Sequence, residues 1–168
     1  NYLLRMGQLQ AADEDAIVKH LVAFFTSLTP QMIEPDNYRL GLEKHILANE
    51  KDLSNGIPTC EQVRLRRIMG NQLRYLHVAA PCFDARVVAG RIVDGHGDLR
   101  PDHIYAELPP SIIDCIEFND RFRYIDVASD AAFLAMDFDF RGRPDCGSYF
   151  AERLAAALYI HLPEINVD

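Results

Sequence analysis

Val93-Asp94-Gly95-His96-Gly97-Asp98-Leu99-Arg100-Pro101-Asp102-His103 is the stretch on which the reading of this chain turns. The apolar run over residues 91–93 predicts a short strand leading into it. Gly95 and Gly97 lack a Cβ, so the backbone can take a path closed to other residues. Pro101 stiffens the exit. An aspartate and two histidines are therefore carried on a loop at the end of a strand, where rigid scaffolds usually hold reactive groups.

Downstream, residues 104–108 and 111–116 predict two short strands around Pro109-Pro110, the punctuation of a tight turn. Asp114 closes the second of them. Residues 122–140 are apolar on nearly all sides, which predicts a buried helix ended by Gly142-Arg143-Pro144. Asp145 is a plausible cap for a last helix reaching about His161.

Upstream the patterns are helical. Ile17, Leu21, Phe24, Phe25 and Leu28 recur at helical spacing, with Asp13, Glu14 and Asp15 at the positive end of the dipole, so residues 12–28 predict an amphipathic helix. Residues 1–9 read as a short helix leading into it, and 30–36 as a loop. A weaker helix over 38–53 is expected to end at Ser54-Asn55-Gly56 and Pro58. Thr59 and Gln62 have capping-box spacing for a further helix, with a Leu65, Met69, Leu73, Leu76 core stripe and a stop at Pro81. The order is helices, a small β-hairpin patch, then helices, with no alternating βαβ units. This predicts a mainly α, α+β fold in one domain over residues 1–168.

Composition narrows the function classes. A formal net charge of -8 argues against nucleic-acid binding, which needs a basic surface. Arg64, Arg66, Arg67 and Arg74 are the local exception and read as a solvated helix face. No apolar run approaches 18 residues, so no membrane partner is expected. Cys60, Cys82, Cys115 and Cys146 show no CxxC spacing and read as reduced thiols of a cytoplasmic protein.

Acidic residues crowd the segment from Asp94 to Asp130. Asp126 and Asp130 are four apart, hence on one helical face, and like charges there need donors. The backbone of the 93–103 loop could supply them, or Arg121 and Arg123 could.

Val93–His103 resembles the kinase catalytic loop, H-R-D-x-x-x-x-N, with His96 at the histidine, Asp98 at the aspartate and His103 where asparagine is usual. Ile112-Ile113-Asp114 stands where kinases carry a metal-binding aspartate. Asp126-Val127-Ala128-Ser129-Asp130-Ala131-Ala132 resembles the helix start of aminoglycoside and choline-type phosphotransferases. The resemblance is confined to residues 91–142. It implies the helical C-terminal lobe of a protein-kinase-like fold, with the N-terminal lobe absent, since no glycine-rich phosphate loop or strand-borne lysine is seen.

That resemblance implies ATP-dependent transfer of a phosphoryl group to a hydroxyl of a small molecule. Asp98 would take the hydroxyl proton, and Arg100 would meet the transferring phosphate. Asp114 would hold Mg2+ beside ATP, with His103 and Glu117 as further ligands. Imidazole suits Mn2+ better than Mg2+. His96, Asp126 and Asp130 would support the loop. Acidic surroundings suit a cationic acceptor. Without its other lobe the segment is expected to bind ATP weakly. Two other readings stand beside this one: a Zn2+- or Mn2+-dependent phosphoesterase using His96, Asp98, His103 and Asp114, and a non-catalytic kinase-like binding module.

Overall fold

A computed structural model describes residues 9–158 of the chain. The helix expected over residues 1–9 lies outside them except for Leu9, and the last helix, expected to reach about His161, ends at Ala157. The described chain is mainly α with a small antiparallel β component. It falls into two compact units, one joining residues up to 31 with those from 91 onward, the other spanning residues 32–90.

The first unit opens with α1 (Ala11–Ser27). Gln10 and Asp13 cap it reciprocally, each side chain meeting the other's backbone N–H. Ile17 and Leu21 are fully buried on its inner face.

The second unit consists of α2 (Pro35–Gly56), α3 (Gln62–Val78) and α4 (Ala80–Val88). Pro35 starts α2 three residues earlier than the sequence pattern indicates, because proline at the first helical position loses no hydrogen bond. Ser54-Asn55-Gly56 forms the last turn of α2 rather than ending it. The Thr59–Gln62 capping box does not form. Thr59–Glu61 is a 3-10 turn, and the Gln62 side chain instead donates to the Ser54 carbonyl at 2.7 Å. Leu65, Met69 and Leu76 are buried as expected of the α3 stripe. Pro81 does not stop α3; the chain turns at Ala79, and Pro81 lies in the first turn of α4. Arg39 ties α2 to α4 through Asp84 at 2.7 Å.

The β elements belong to the first unit. β1 (Ile92–Asp94) pairs antiparallel with β4 (Tyr124–Asp126), matching Val93 to Ile125. β2 (Ile104–Tyr105) pairs antiparallel with β3 (Ser111–Ile112) around the Pro109-Pro110 turn. β4 corrects the expected start of the buried helix. Tyr-Ile-Asp is extended against β1, and the helix begins only at α5 (Val127–Phe140), where Asp126 caps it by accepting from Ala128 N at 2.8 Å. A continuous apolar run does not distinguish a buried strand from a buried helix.

Gly142 (φ 75) ends α5 in the left-handed region. Arg143 N donates to Phe138 O and Gly142 N to Asp139 O, both at 2.9 Å, closing the last carbonyls of the helix. Beyond it, α6 (Pro144–Ala157) packs along α5, with the Phe138 and Phe150 rings stacked at 5.3 Å. Together α1, α5 and α6 enclose the core of this unit, into which Leu99 and Ile104 from the loop region also project. Among the described residues no helix is long and apolar enough to cross a membrane.

The α5–α6 crossing depends on Gly147, where an added Cβ would lie 2.8 Å from the Ala135 carbonyl oxygen. We predict that Gly147→Ala lowers unfolding free energy by about 1–3 kcal/mol in urea titration. Unchanged stability would contradict this packing.

Candidate functional site

β1 delivers the chain into the 93–103 loop. The two glycines serve different ends there. Gly97 takes φ +80, and a Cβ on it would come 2.6 Å from the Phe122 carbonyl oxygen. Gly95 needs no unusual φ but allows close approach: its Cβ would stand 2.8 Å from Asp130 Oδ2.

Asp130, on the first turn of α5, is 1% exposed. Its Oδ2 accepts from His96 N at 2.8 Å and its Oδ1 from Gly97 N at 3.0 Å. Both carboxylate oxygens thus hold successive backbone amides of the loop. Burial pushes the Asp130 carboxyl up to about 6, against the two amides, which favour the ionised form. The Asp126 carboxylate caps α5.

The His96 ring is 2.8 Å by Nε2 from the Ile113 carbonyl, and its Nδ1 is 3.3 Å from Asp98 N. A carbonyl can only accept and an amide can only donate, so Nε2 carries the proton and Nδ1 is the acceptor. Burial, the largest influence, pushes the imidazole below its ordinary value. With both nitrogens engaged, His96 is not available as a metal ligand, which removes it from the phosphoesterase donor set. It joins the backbone on either side instead, since its carbonyl also accepts from Ile116 N at 3.1 Å.

His103 stacks on His96 with ring centroids 5.8 Å apart. Its Nδ1 lies 2.9 Å from the Asp98 carbonyl and so donates to it. That leaves Nε2 facing Asp114 Oδ2 at 3.4 Å, while Nδ1 is also 3.8 Å from Asp98 Oδ2. His103 therefore stands between Asp98 and Asp114. Asp114 is in the left-handed region (φ 63) with its side chain 74% exposed. A non-glycine residue held there costs on the order of 1 kcal/mol and marks a position the surroundings impose.

Side-chain exposure alternates through Asp98, Leu99 and Arg100, with Leu99 fully buried and its neighbours partly exposed. Asp98 and Arg100 accordingly share the solvent side. Arg100 Nε is 3.5 Å from Asp137 Oδ2. Glu117 is exposed, and among the described residues no three carboxylate, imidazole or thiol side chains converge as a metal-ligating group. Glu117 thus does not complete a set with His103 and Asp114.

Two features escape the sequence reading. Arg123 clamps Asp94 with Nε and Nη2 at 2.6 and 3.0 Å. Asp137, buried near the end of α5, receives both Arg100 and Arg141. Its signal was its spacing, seven residues from Asp130 and four before Arg141, which puts all three on one helical face. A cavity of about 340 Å3 adjoins the loop, lined by His20, Leu21 and Phe24 of α1 together with His96, Leu99 and Cys115. Neither Asp98 nor Asp114 lines it.

Part of the chain is similar to proteins of Mycobacterium bovis and Mycobacterium tuberculosis described as uncharacterized proteins. Each is 52% identical over 69 residues, which is 40% of this chain and 14% of the relative. The match thus spans about one seventh of those curated relatives. No family model matches the chain, and no solved structure matches it.

Asp130 should titrate far above an ordinary carboxylate. In a pH titration by NMR we predict a carboxyl midpoint near 6, with the His96 and Gly97 amide protons moving with it. Because the folded value lies above the unfolded value near 3.9, the group's contribution to stability is full below the unfolded value and is lost as pH rises through about 6. Wild-type stability should therefore fall relative to Asp130→Asn across that window. A midpoint below 4 would contradict the burial that sets the shift.

Proposed function

We propose that the first unit is the catalytic segment of an ATP-dependent small-molecule phosphotransferase, the C-terminal lobe of a protein-kinase-like fold. The observation that carries this reading is the convergence of two carboxylates on one imidazole. Asp98 and Asp114 come from different segments, yet His103 lies 3.8 Å from one and 3.4 Å from the other. Phosphoryl transfer is governed by positioning and charge, and this arrangement suits both needs.

In this reading Asp98 accepts the proton of the acceptor hydroxyl as its oxygen forms a bond to the γ-phosphorus. The bond from that phosphorus to the bridging oxygen breaks, and ADP leaves. Arg100, on the same side as Asp98, meets the charge on the transferring group. His96 keeps Asp98 and the Asp114 segment in register through its two ring nitrogens.

The donors at hand suit a divalent cation that keeps much of its water. Asp114 offers an exposed carboxylate, and His103 offers Nε2 with its other nitrogen anchored on a carbonyl, the usual outer contact of a ligating histidine. Asp114 and His103 would hold Mg2+ or, given the imidazole, Mn2+. When bound, the ion would neutralise charge on the ATP phosphates.

The α- and β-phosphates would require a covering loop and lysine from outside residues 9–158, supplied by a second lobe. The acidic rim suits a cationic hydroxyl compound as acceptor. ATP as co-substrate and four unpaired thiols suit the cytoplasm.

The test is ATP consumption by the longest natural form of the protein, offered hydroxyl acceptors with Mg2+ or Mn2+. We predict that Asp98→Asn lowers turnover by about 100-fold or more, the loss of a general base. Turnover unchanged in that variant would remove Asp98 from the mechanism. ATP binding without any turnover would favour the non-catalytic binding module.

A further inference from the structure

Asp137 belongs to none of the roles assigned above, yet it is a buried carboxylate beside the reactive loop. Its side chain is 9% exposed. An ionised carboxylate so placed is costly unless cations meet it. Two do, and they differ. Arg141 Nε lies 2.9 Å from Asp137 Oδ2, and its Nη2 is engaged by Asp102 at 2.5 Å. That guanidinium is closed on both sides. Arg100 presents only Nε to Asp137, at 3.5 Å, and its side chain is 39% exposed. Among the described residues the terminal nitrogens of Arg100 meet no partner.

We propose that Asp137 is a positioning residue that holds Arg100 by Nε, so that its two terminal nitrogens form an outward fork for a phosphate group. The identity of the anion rests on the phosphotransfer reading; the anchoring does not. A guanidinium meets phosphate oxygens best in a fixed, two-pronged geometry, and a long side chain loses entropy when it must adopt one. An anchor at Nε lowers that loss. The anchor is itself rigid, because Asp137 sits on α5, seven residues from Asp130, and Arg141 neutralises it whether or not Arg100 is present. The same helix face therefore holds the loop backbone at Asp130 and aims the loop's cation at Asp137.

A double-mutant cycle on the full chain separates positioning from mere stability. Inorganic pyrophosphate with Mg2+ is titrated by calorimetry into wild type, Asp137→Asn, Arg100→Ala and the double variant. Asp137→Asn is expected to weaken binding about fivefold in the wild-type background and to change nothing when Arg100 is already alanine. Arg100→Lys, which keeps the charge but has no Nε, should bind as weakly as Asp137→Asn. Equal losses in both backgrounds would show that Asp137 acts through the fold alone and would overturn the proposal. So would a wild-type chain that does not bind pyrophosphate. The phosphotransfer reading stands or falls separately, on the turnover of Asp98→Asn.

Discussion

A single buried carboxylate accepting two successive amides carries the arrangement around it. Asp130 is 1% exposed, and its oxygens meet His96 N and Gly97 N at 2.8 and 3.0 Å. Removing a charged group from water is costly, and those amides are its partial compensation. The loop amides in turn have a buried acceptor in this place only because α5 begins where it does. Asp126 caps that helix, and β4 ahead of it pairs with β1, which leads into the loop. Strand pair, helix start and loop path are therefore one constraint seen from three sides.

The two histidines pass this constraint outward. His96, with its amide fixed by Asp130, uses both ring nitrogens to tie Asp98 N to the Ile113 carbonyl. His103 stacks on it and places its remaining nitrogen toward Asp114. Asp114 lies in a left-handed conformation, one that an unconstrained aspartate seldom adopts. The outcome is a patch in which Asp98, Asp114, His103 and Arg100 are carried on a backbone fixed beneath them.

Much of this fold could be read from the sequence, and the failures share a cause. Amphipathic periodicity located α1 to within one residue at each end, and the α3 stripe is buried at Leu65, Met69 and Leu76. Periodicity reports only which face is apolar. It could not tell that residues 124–126 are extended, because the partner strand lies some thirty residues earlier and the same apolar run suits either state. Capping spacing at Thr59 and Gln62 lost to a longer-range acceptor, the Ser54 carbonyl. In the site, Asp126 and Asp130 looked alike as carboxylates four apart. Only the close approach at Gly95 separates them, giving one a helix end and the other the loop. The Arg100–Asp137 contact and the Asp94–Arg123 clamp join residues distant in sequence, for which single-sequence patterns carry no signal; only the Asp137–Arg141 spacing was local.

The central claim is that Asp130 holds the loop, and amide hydrogen exchange tests it most directly. In wild type the His96 and Gly97 amides should exchange as slowly as those in the buried part of α5. In Asp130→Asn, whose side chain can accept through only one oxygen, one or both should exchange much faster while the α5 and α6 amides stay protected. If both loop amides keep wild-type protection in that variant, the loop is held by something else and the account is wrong.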